Sequence, residues 1–228
     1  MTKKIYLDAG HGGTDSGATG FGLLEKNINL KIVKYTRDHL NANYSGHIVR
    51  LSRSTDKTVS LRDRTNEANK WGADVLVSIH CNAFNGKARG YEDFIYTHTK
   101  KSEPLQKAIH KEVSKLFSVN RGKKKANFHM LRESKAVAVL TENGFIDNRQ
   151  DNNFLKKDSN LKRLGEAHAK GIASYLGLNS KVPKTNQRDS DTIYRVITGS
   201  FSNRKNAEKR VNDLKKKGFN SFIDIYKK

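Results

Sequence analysis

The sequence predicts an α/β fold, a mostly parallel twisted sheet with helices on both faces, followed by a small C-terminal strand-helix-strand module. Two observations support this prediction. Short apolar segments rich in strand-forming residues alternate with longer segments whose apolar residues recur at helical spacing, a pattern typical of parallel sheets. The polar residues 179–192, almost without apolar side chains, then separate the last predicted helix from a short final unit.

Strands are predicted where apolar, β-branched and aromatic residues cluster between turn-forming residues. The first strand covers residues 4–9 and leads through Gly10 into a glycine-rich loop. The other predicted strands cover residues 47–53, 73–81, 91–98 and 137–141. Most of them are separated by helical segments, as parallel neighbours require.

Helices are predicted where apolar residues recur every three or four positions. The predicted helices run from Asn27 to a stop at residues 43–46, over residues 61–71, across residues 105–117 and across residues 161–176. Together with the strands they form one predicted domain over residues 1–178, a size at which a chain can bury a sizeable core.

The last fifty residues are predicted to hold a linker and a small module. The linker, residues 179–192, spans at most about 50 Å when fully extended. After it we predict a strand at 193–198, a helix at 203–217 and a second strand at 219–226. A module of only 36 residues, 193–228, seldom buries enough surface to be stable alone, so we expect it to find a partner.

The chain is strongly basic, with 44 Lys and Arg against 23 Asp and Glu and a net charge of +21. Such a charge attracts polyanions, which include nucleic acid, a membrane surface and an anionic cell wall. The charge is spread over the chain, since residues 179–228 hold 13 basic and 5 acidic residues. Aromatic residues make up only 8% and are not interleaved with basic ones, so no nucleic-acid partner is expected.

The sequence contains no recognisable membrane or export segment. Its longest apolar runs, such as residues 73–79, are far shorter than the roughly 20 residues that a membrane span needs. The first residues enter the glycine-rich motif directly, without the apolar stretch and cleavage site of a secretory signal. We therefore expect synthesis in the cytoplasm without a signal peptide, no integral membrane association, and action after release.

Two histidines and two glutamates lie beside predicted strand ends and suggest a zinc site. His11 lies in the motif of residues 8–13, His80 in residues 78–82 and Glu142 in residues 140–145, and Glu25 precedes the first helix. Ligand sites of α/β sheets form at the carboxyl ends of the strands, where these residues are expected to meet. His11, Glu25 and His80 match a hydrolytic zinc site of three ligands, and Glu142 is placed to transfer protons as the catalytic residue.

Each of these residues also has a simpler explanation. A histidine in a glycine-rich loop can serve as a hydrogen-bonding residue, and His80 can be a core residue. Glu25 can stabilise the start of a helix, and Glu142 can pair with a surface lysine. Arg53 and Arg64 are expected to anchor loops, with contact to a substrate carboxylate as the alternative. The only cysteine, Cys81, is expected to pack in the core, because alternation along the strand points it away from His80.

The motifs at residues 8–13, 64–69, 78–82 and 142–148, together with Glu25, resemble zinc-dependent N-acetylmuramoyl-L-alanine amidases of the third amidase family. The resemblance covers about residues 3–178 in order. It implies that His11, Glu25 and His80 hold one Zn²⁺ and that Glu142 is the catalytic acid and base. It also implies cleavage of the amide between N-acetylmuramic acid and L-alanine, as in phage endolysins or sporulation autolysins. A zinc peptidase acting within the stem peptide is the nearest alternative.

The C-terminal segment has a resemblance of its own. Residues 194–201, 206–208 and 218–219 are similar to half of a sporulation-related repeat, a peptidoglycan-binding module. The complete module resembles a ferredoxin-like pair of strand-helix-strand units, so this segment corresponds to a ferredoxin-like half. The resemblance implies peptidoglycan as a partner, and the charge adds anionic wall polymers. Two such halves would complete one module in a homodimer.

A wall-binding protein with an inactive catalytic domain is a further alternative. Such a protein would keep the fold and the basic surface without needing the catalytic side chains. The presence of all four predicted site residues, His11, Glu25, His80 and Glu142, argues against it.

Overall fold

The computed structural model describes residues 2–97, 99–181 and 197–225. The chain divides into two compact units, Met1–Lys184 and Thr185–Lys228. The first unit contains all of the predicted site residues.

The first unit is built around one six-stranded sheet. The strands of this unit are β1 (Lys3–Ala9), β2 (Thr19–Gly20), β3 (Leu23–Leu24), β4 (Tyr44–Ser45), β5 (His47–Leu51), β6 (Val75–Asn82), β7 (Tyr91–Tyr96), β8 (Asn120–Ala126), β9 (Val137–Phe145) and β10 (Asn179–Ser180). The six longer strands form the sheet in the order β5-β1-β6-β9-β7-β8. Only the β7–β9 pair is antiparallel, so the predicted, mostly parallel sheet is confirmed.

Helices cover both faces of this sheet, as predicted. The helices are α1 (Glu25–Asn43), α2 (Leu61–Trp71), α3 (Glu103–Val113), α4 (His129–Arg132), α5 (Arg149–Leu155) and α6 (Asp158–Leu176), with a 3₁₀ turn at Ser114–Leu116 and helix α7 (Arg204–Lys216) in the second unit. The larger apolar core joins α1, α3 and α6 to one face, and a smaller core joins α2 and α4 to the other. Among the described residues, no helix combines the length and apolarity that a membrane crossing requires.

Alternation of side chains along the central strands determines on which face of the sheet His80 and Glu142 lie. In β6, Val75, Val77 and Ile79 lie in the larger core. Leu76 lies in the smaller core on the opposite face, and by the two-residue period of a strand His80 shares that face. The same period in β9 places Glu142 on the face of Leu140.

Two site residues lie inside strands, not at the strand ends that the sequence predicted. β6 continues to Asn82 and β9 to Phe145, because the two strands remain paired through His80 with Glu142 and Asn82 with Phe145. Gly144, predicted as part of a turn, lies within β9 with a φ of 88°, a conformation that glycine adopts without strain. β7 ends at Tyr96, and residue 98 of the predicted strand lies outside the described residues.

Other element boundaries also differ from the prediction. α1 begins at Glu25, two residues before the predicted start, so Glu25 is the first helical residue. Strand β8 was not predicted, because its sequence Asn-Arg-Gly-Lys-Lys-Lys-Ala has no apolar alternation. Such a charged strand is typical of a sheet edge, which is where β8 lies.

The second unit contains the predicted helix but no strand among its described residues. Helix α7 is confirmed, and the Asn203 side chain caps it by accepting a hydrogen bond from the Lys205 amide at 2.9 Å. Residues 219–225 of the strand predicted at 219–226 are not in strand conformation, and residue 226 lies outside the described residues. Residues 193–196 of the strand predicted at 193–198 lie outside the described residues, and residues 197 and 198 are not in strand conformation.

The start of the predicted linker belongs to the first unit. Asn179 and Ser180 form β10, which pairs antiparallel with β4. The amide of Lys181 also donates to the Asn43 carbonyl at 2.7 Å. Residues 182–192 of the predicted linker lie outside the described residues.

A buried histidine links α6 to the centre of the sheet. His168 is fully buried, its Nδ1 lies 2.8 Å from the Leu164 carbonyl and its Nε2 lies 3.1 Å from the Thr141 hydroxyl. Burial lowers the pKa of His168 to about 4. The ring is therefore neutral in the folded protein at pH 7.

We expect His168 to make folding stability depend on pH. The folded pKa of about 4 lies below the ordinary value of 6.5, so the contribution is complete above pH 6.5 and is lost as pH falls towards 4. The loss amounts to about 3 kcal/mol at most. Denaturant unfolding with chelator present, at pH values from 7 to 4, should show a smaller fall in the free energy of unfolding for His168→Gln than for the wild type. Equal falls would contradict this assignment.

Candidate metal centre

His11, Glu25 and His80 come together at the carboxyl edge of the sheet. One ligand atom from each residue lies within 4.8 Å of the other two. The rings of His11 and His80 meet edge to face with their centroids 4.9 Å apart. The loop after β1, the first turn of α1 and the last residues of β6 supply the three side chains.

The carboxylate of Glu25 lies between the two imidazoles. Its Oε2 is 3.2 Å from His11 Nε2, and its Oε1 is 3.0 Å from His80 Nδ1. Burial alone would raise the pKa of Glu25, but the hydrogen bonds with the two rings outweigh burial and hold the pKa well below its ordinary value. Glu25 is therefore an ionised carboxylate that is only 3% exposed.

Neutral groups fix the orientation of the Glu25 carboxylate. The amide of Cys81 donates to Oε1 at 3.0 Å and the amide of Ala18 donates to Oε2 at 2.8 Å. The Asn29 side chain, one helical turn after Glu25, donates to Oε1 at 3.0 Å. These contacts attach α1, β6 and the glycine-rich loop to one buried charge.

Hydrogen bonds to groups other than Glu25 hold the His11 ring and the His80 backbone. Nδ1 of His11 lies 2.8 Å from the Asp15 carboxylate, so Nε2 is the nitrogen that faces Glu25. Burial alone would lower the pKa of His11, but Glu25 and Asp15 outweigh burial and raise it. The carbonyl of His80 accepts a hydrogen bond from the Asn143 side chain at 2.9 Å. A carboxylate behind a histidine is the usual support of a metal ligand.

Two glycines make room for the three candidate ligands. A Cβ at Gly10 would lie 2.3 Å from the His80 ring, and a Cβ at Gly17 would lie 2.6 Å from both Glu25 Oε2 and the His11 ring. Gly17 also has a φ of 64°, which a side chain disfavours. The glycine-rich loop is therefore adapted to close packing around the ligands.

Two buried arginines hold the backbone of the loop that carries His11. Arg53 donates to the carbonyls of Ala9 and Gly10, each at 3.0 Å. Arg64 donates to the His11 carbonyl at 2.7 Å and pairs with the Asp8 carboxylate at 2.7 Å. Both arginines are almost fully buried, so they act as loop anchors, the role expected from the sequence in preference to contact with a substrate carboxylate.

Glu142 lies on the strand beside His80. The two residues are register partners in the β6–β9 pair, and neighbouring strands are about 4.8 Å apart. Oε2 of Glu142 is buried and has no hydrogen-bond partner among the described residues. Burial, with smaller contributions from the charges of Glu25 and Glu92, raises the pKa of Glu142 well above its ordinary value. The side chain is therefore poised to hold a proton.

The remaining candidates have structural roles. Cys81 is 3% exposed and packs in the larger core, where burial raises the pKa of its thiol and disfavours the thiolate that binds metals. His129, which the sequence left without a role, lies 3.2 Å from the Thr65 hydroxyl. His110 lies 2.7 Å from the buried Asp93 carboxylate.

Several contributing residues were not identified from the sequence. Asn29 follows Glu25 by four positions within α1, and this helical spacing is the signal that points to it, whereas Asp15 lies in the loop of His11, where no such spacing rule applies. Asn143 and Glu92 offer no comparable signal, because their proximity depends on pairing between strands distant in sequence.

The donor set fits a zinc ion. Two imidazole nitrogens and one carboxylate, close enough to share one ion and supported from behind by Asp15, match a site of three protein ligands with one open position. Beside them lies the half-buried carboxyl group of Glu142, whose pKa is raised. An α/β sheet with these groups at its carboxyl edge defines a metal-dependent hydrolase.

Comparison with known proteins identifies the family. Residues 5–174 match the N-acetylmuramoyl-L-alanine amidase family, and residues 160–224 match the SPOR domain. The chain belongs to this amidase family, whose members are generally zinc-dependent. It is a peptidoglycan hydrolase that cleaves the amide bond between N-acetylmuramic acid and L-alanine.

Individual relatives agree with this assignment. The chain is 44% identical to a sporulation-specific N-acetylmuramoyl-L-alanine amidase of Bacillus subtilis, over 96% of this chain and 84% of the relative. It is 42% identical to an endolysin of Bacillus phage SPP1, over 86% of this chain and 76% of the relative. The family resemblance expected from the sequence is thus confirmed.

Solved structures show the same fold. The catalytic domain of the amidase CwlV from Bacillus (Paenibacillus) polymyxa var. colistinus matches with a TM-score of 0.75 and 31% identity, over 78% of this chain and all of that domain. The amidase AmiC2 of Nostoc punctiforme matches with a TM-score of 0.72 and 33% identity, over 77% and 97% of the two chains.

The glycine at position 17 offers a direct test of the packing around the ligands. We expect Gly17→Ala to weaken zinc binding at least tenfold, because the new Cβ would displace Glu25 or His11. Gly22→Ala is the matched control, since Gly22 also has a positive φ, 81°, but nothing lies within 4 Å of its Cβ position. Competition with a chromogenic chelator measures the affinity. Equal weakening in both variants would show that backbone strain, and not ligand displacement, is responsible.

Proposed function

We propose that His11, Glu25 and His80 hold one zinc ion per catalytic domain and that Glu142 is the catalytic acid and base of the amidase. The observation that carries this proposal is the convergence of the three ligand atoms within 4.8 Å of one another. Zinc bound by such a donor set supplies Lewis-acid chemistry, which activates water and polarises a carbonyl group.

The protein groups have distinct tasks in this proposal. Glu25 contributes the negative charge that favours a cation, and its fixed orientation presents one oxygen towards each histidine. Asp15 holds the His11 ring so that Nε2 faces the site. Arg53 and Arg64 keep the loop backbone in place through its carbonyls. The ligands are thereby arranged before the metal binds.

Glu142 moves the proton that the reaction requires. Hydrolysis of an amide consumes one water: its oxygen forms a bond to the lactyl carbonyl carbon, and the bond from that carbon to the L-alanine nitrogen breaks. Glu142 accepts a proton from the attacking water and delivers it to that nitrogen, which leaves as a neutral amine. Its raised pKa suits a group that must hold a proton between the two steps.

Cleavage within the stem peptide would use the same site. No described contact favours it over the amide of the family, and the amine released distinguishes the two reactions. Mass spectrometry of purified wall digested by the protein should find free L-alanine amino termini. New amino groups only at other stem residues would contradict the amidase assignment.

The roles of the ligands and of Glu142 are separable by mutation. We expect Glu142→Gln to keep zinc but to lose wall-clearing activity by about 100-fold or more, the usual contribution of a general acid and base. His80→Ala is expected to lose both zinc and activity. Metal analysis of the purified variants and turbidity of a wall suspension measure the two properties.

Two variants serve as controls for this experiment. Glu133→Gln removes an exposed carboxylate that is paired with Arg132, and His39→Ala removes a histidine outside the ligand cluster. Both should behave as the wild type. Near-full activity of Glu142→Gln would refute its role, and full zinc content of His80→Ala would refute the ligand set.

We further propose that the chain is organised as a catalytic domain at residues 1–178, a linker at 179–192 whose first three residues are held against the catalytic domain, and a wall-binding module at 193–228. The match of residues 160–224 to the SPOR domain supports peptidoglycan binding by the C-terminal part. The net charge of +21 favours anionic wall polymers as additional partners. In this proposal the chain acts on the cell wall, as its relatives do.

A homodimer through the C-terminal module is part of this proposal. The described part of this module exposes large apolar side chains that a small unit would normally bury. These side chains are Ile197, Phe201, Phe219, Phe222 and Ile225. Pairing of two modules would cover these side chains.

The dimer and the wall-binding role are tested together by replacing an exposed apolar residue of the module. We expect Phe222→Ser, at a side chain that is 78% exposed, to shift sedimentation from dimer to monomer and to weaken binding to purified wall. Phe84→Ser is the matched control, because Phe84 is also 78% exposed but lies in the catalytic domain. A wild type that is strictly monomeric at micromolar concentration would contradict the dimer.

A further inference from the structure

Two cations border the strand row that contains Glu142. In the antiparallel β7–β9 pair, Glu92 is the register partner of Glu142, which in turn is the partner of His80. The Glu92 carboxylate contacts Arg121 Nε at 2.9 Å and also contacts the Lys124 ammonium, both from strand β8. The row of His80, Glu142 and Glu92 therefore ends at a basic pair.

An irregularity in β8 brings both cations to the same face. Tyr91 pairs with Asn120 but Asp93 pairs with Lys123, so β8 has one extra residue at this point, next to Gly122 with its φ of 85°. In a regular strand, residues three positions apart point to opposite faces. The extra residue reverses this alternation locally, and both Arg121 and Lys124 reach Glu92. Bulges of this kind commonly redirect side chains beside active sites.

The basic pair carries more charge than its protein partner neutralises. Glu92, 4% exposed, provides one negative charge against the two positive charges of Arg121 and Lys124. Arg121 uses only Nε, and its two terminal nitrogens have no hydrogen-bond partner among the described residues. Its guanidinium lies 4.9 Å from the centre of the Phe145 ring, which supports its plane. Two parallel N–H donors on a supported plane match the geometry of a carboxylate.

The distance between Glu142 and the basic pair matches the length of the peptide part of the substrate. β8 is two strands from β9, or about 10 Å, and each residue of an extended peptide spans about 3.5 Å. We take the scissile amide to lie beside Glu142. The long side chains of Arg121 and Lys124 extend from β8 towards β9, so they can contact the residue that follows L-alanine. In peptidoglycan stems that residue carries a carboxyl group that is either free or amidated.

We propose that Arg121 and Lys124 bind the free carboxylate of the stem residue after L-alanine and so make the enzyme prefer stems in which this carboxyl is not amidated. The inference rests on the proposed function, because the position of the scissile bond is taken from Glu142. The phosphate of an anionic wall polymer is the other anion to consider. The side chains are only 32% and 38% exposed and lie next to the catalytic row, which favours a substrate group over a surface polymer.

Paired substrates test this proposal. We compare kcat/KM of the full chain for N-acetylglucosaminyl-N-acetylmuramoyl-L-alanyl-D-isoglutamate and for the corresponding isoglutamine compound, which differ only in that carboxyl. The wild type should prefer the acid by about tenfold or more, the factor that one charge-assisted pair supplies. Arg121→Gln should reduce this ratio towards one, because it removes the guanidinium donors for the substrate carboxylate. The remaining Lys124 stays paired with Glu92. Arg121→Lys, which keeps the charge but not the planar donors, should have an intermediate ratio.

Lys123→Gln is the matched control. Lys123 lies on the same strand, pairs in register with Asp93 and belongs to the opposite face. Replacing it by Gln removes one positive charge, as Arg121→Gln does. This variant should keep the wild-type ratio. A wild-type ratio near one, or an equal reduction in Lys123→Gln, would overturn the proposal. The proposal would also be overturned if Arg121→Gln kept the wild-type ratio of the two kcat/KM values and lost only its binding to phosphate-rich wall polymer.

A failure of the carboxylate-binding proposal can be distinguished from a failure of the proposed function. The ratio of two substrates on one enzyme does not change when a variant is partly unfolded or poorly loaded with zinc, because both rates fall together. Full activity of Glu142→Gln would refute the role of Glu142, whereas the substrate ratio reports only on the carboxylate site.

Discussion

The buried charge of Glu25 is the constraint on which the site depends. A carboxylate that is 3% exposed loses its hydration and must be compensated by cations or hydrogen-bond donors. Here the donors are two imidazoles, two backbone amides and the Asn29 side chain. These partners come from α1, β6 and the glycine-rich loop, so one charge determines how three segments meet. A cation bound between the imidazoles would add to the same compensation.

The strand register determines what surrounds this charge. His80, Glu142 and Glu92 are consecutive register partners across β6, β9 and β7, so an imidazole, a carboxyl group with a raised pKa and the carboxylate that pairs with Arg121 and Lys124 lie in one row. Gly10 leaves room for the His80 ring, which would lie 2.3 Å from a Cβ at this position. The sheet thus acts as a rigid support, and the amidase chemistry is assembled from side chains whose spacing it fixes.

The sequence predicted the parts of this arrangement that depend on local pattern. Apolar clusters located β1, β6 and β9, because these strands are buried on both faces, and the helical period located α1 and α6, because each buries one apolar face. The four site residues were identified from strand-end placement and motif resemblance, and the structure brings three of them within reach of one ion.

Other parts could not be predicted because they depend on contacts between distant segments. β8 is an edge strand rich in lysine, without an apolar period to reveal it. Its extra residue beside Gly122 reverses the expected faces of Arg121 and Lys124, which no pattern within the strand itself indicates. Glu142 was expected at a strand end, whereas pairing with β6 and β7 on both sides keeps it inside β9.

We expect His11, Glu25 and His80 to surround a single zinc ion. Crystals grown with zinc and measured on both sides of the zinc absorption edge would locate the ion. One anomalous peak per chain is expected, about 2.0–2.2 Å from one atom of each of the three side chains. A peak bound elsewhere, or a refined structure with zinc in the solution and none between the two imidazoles, would contradict it.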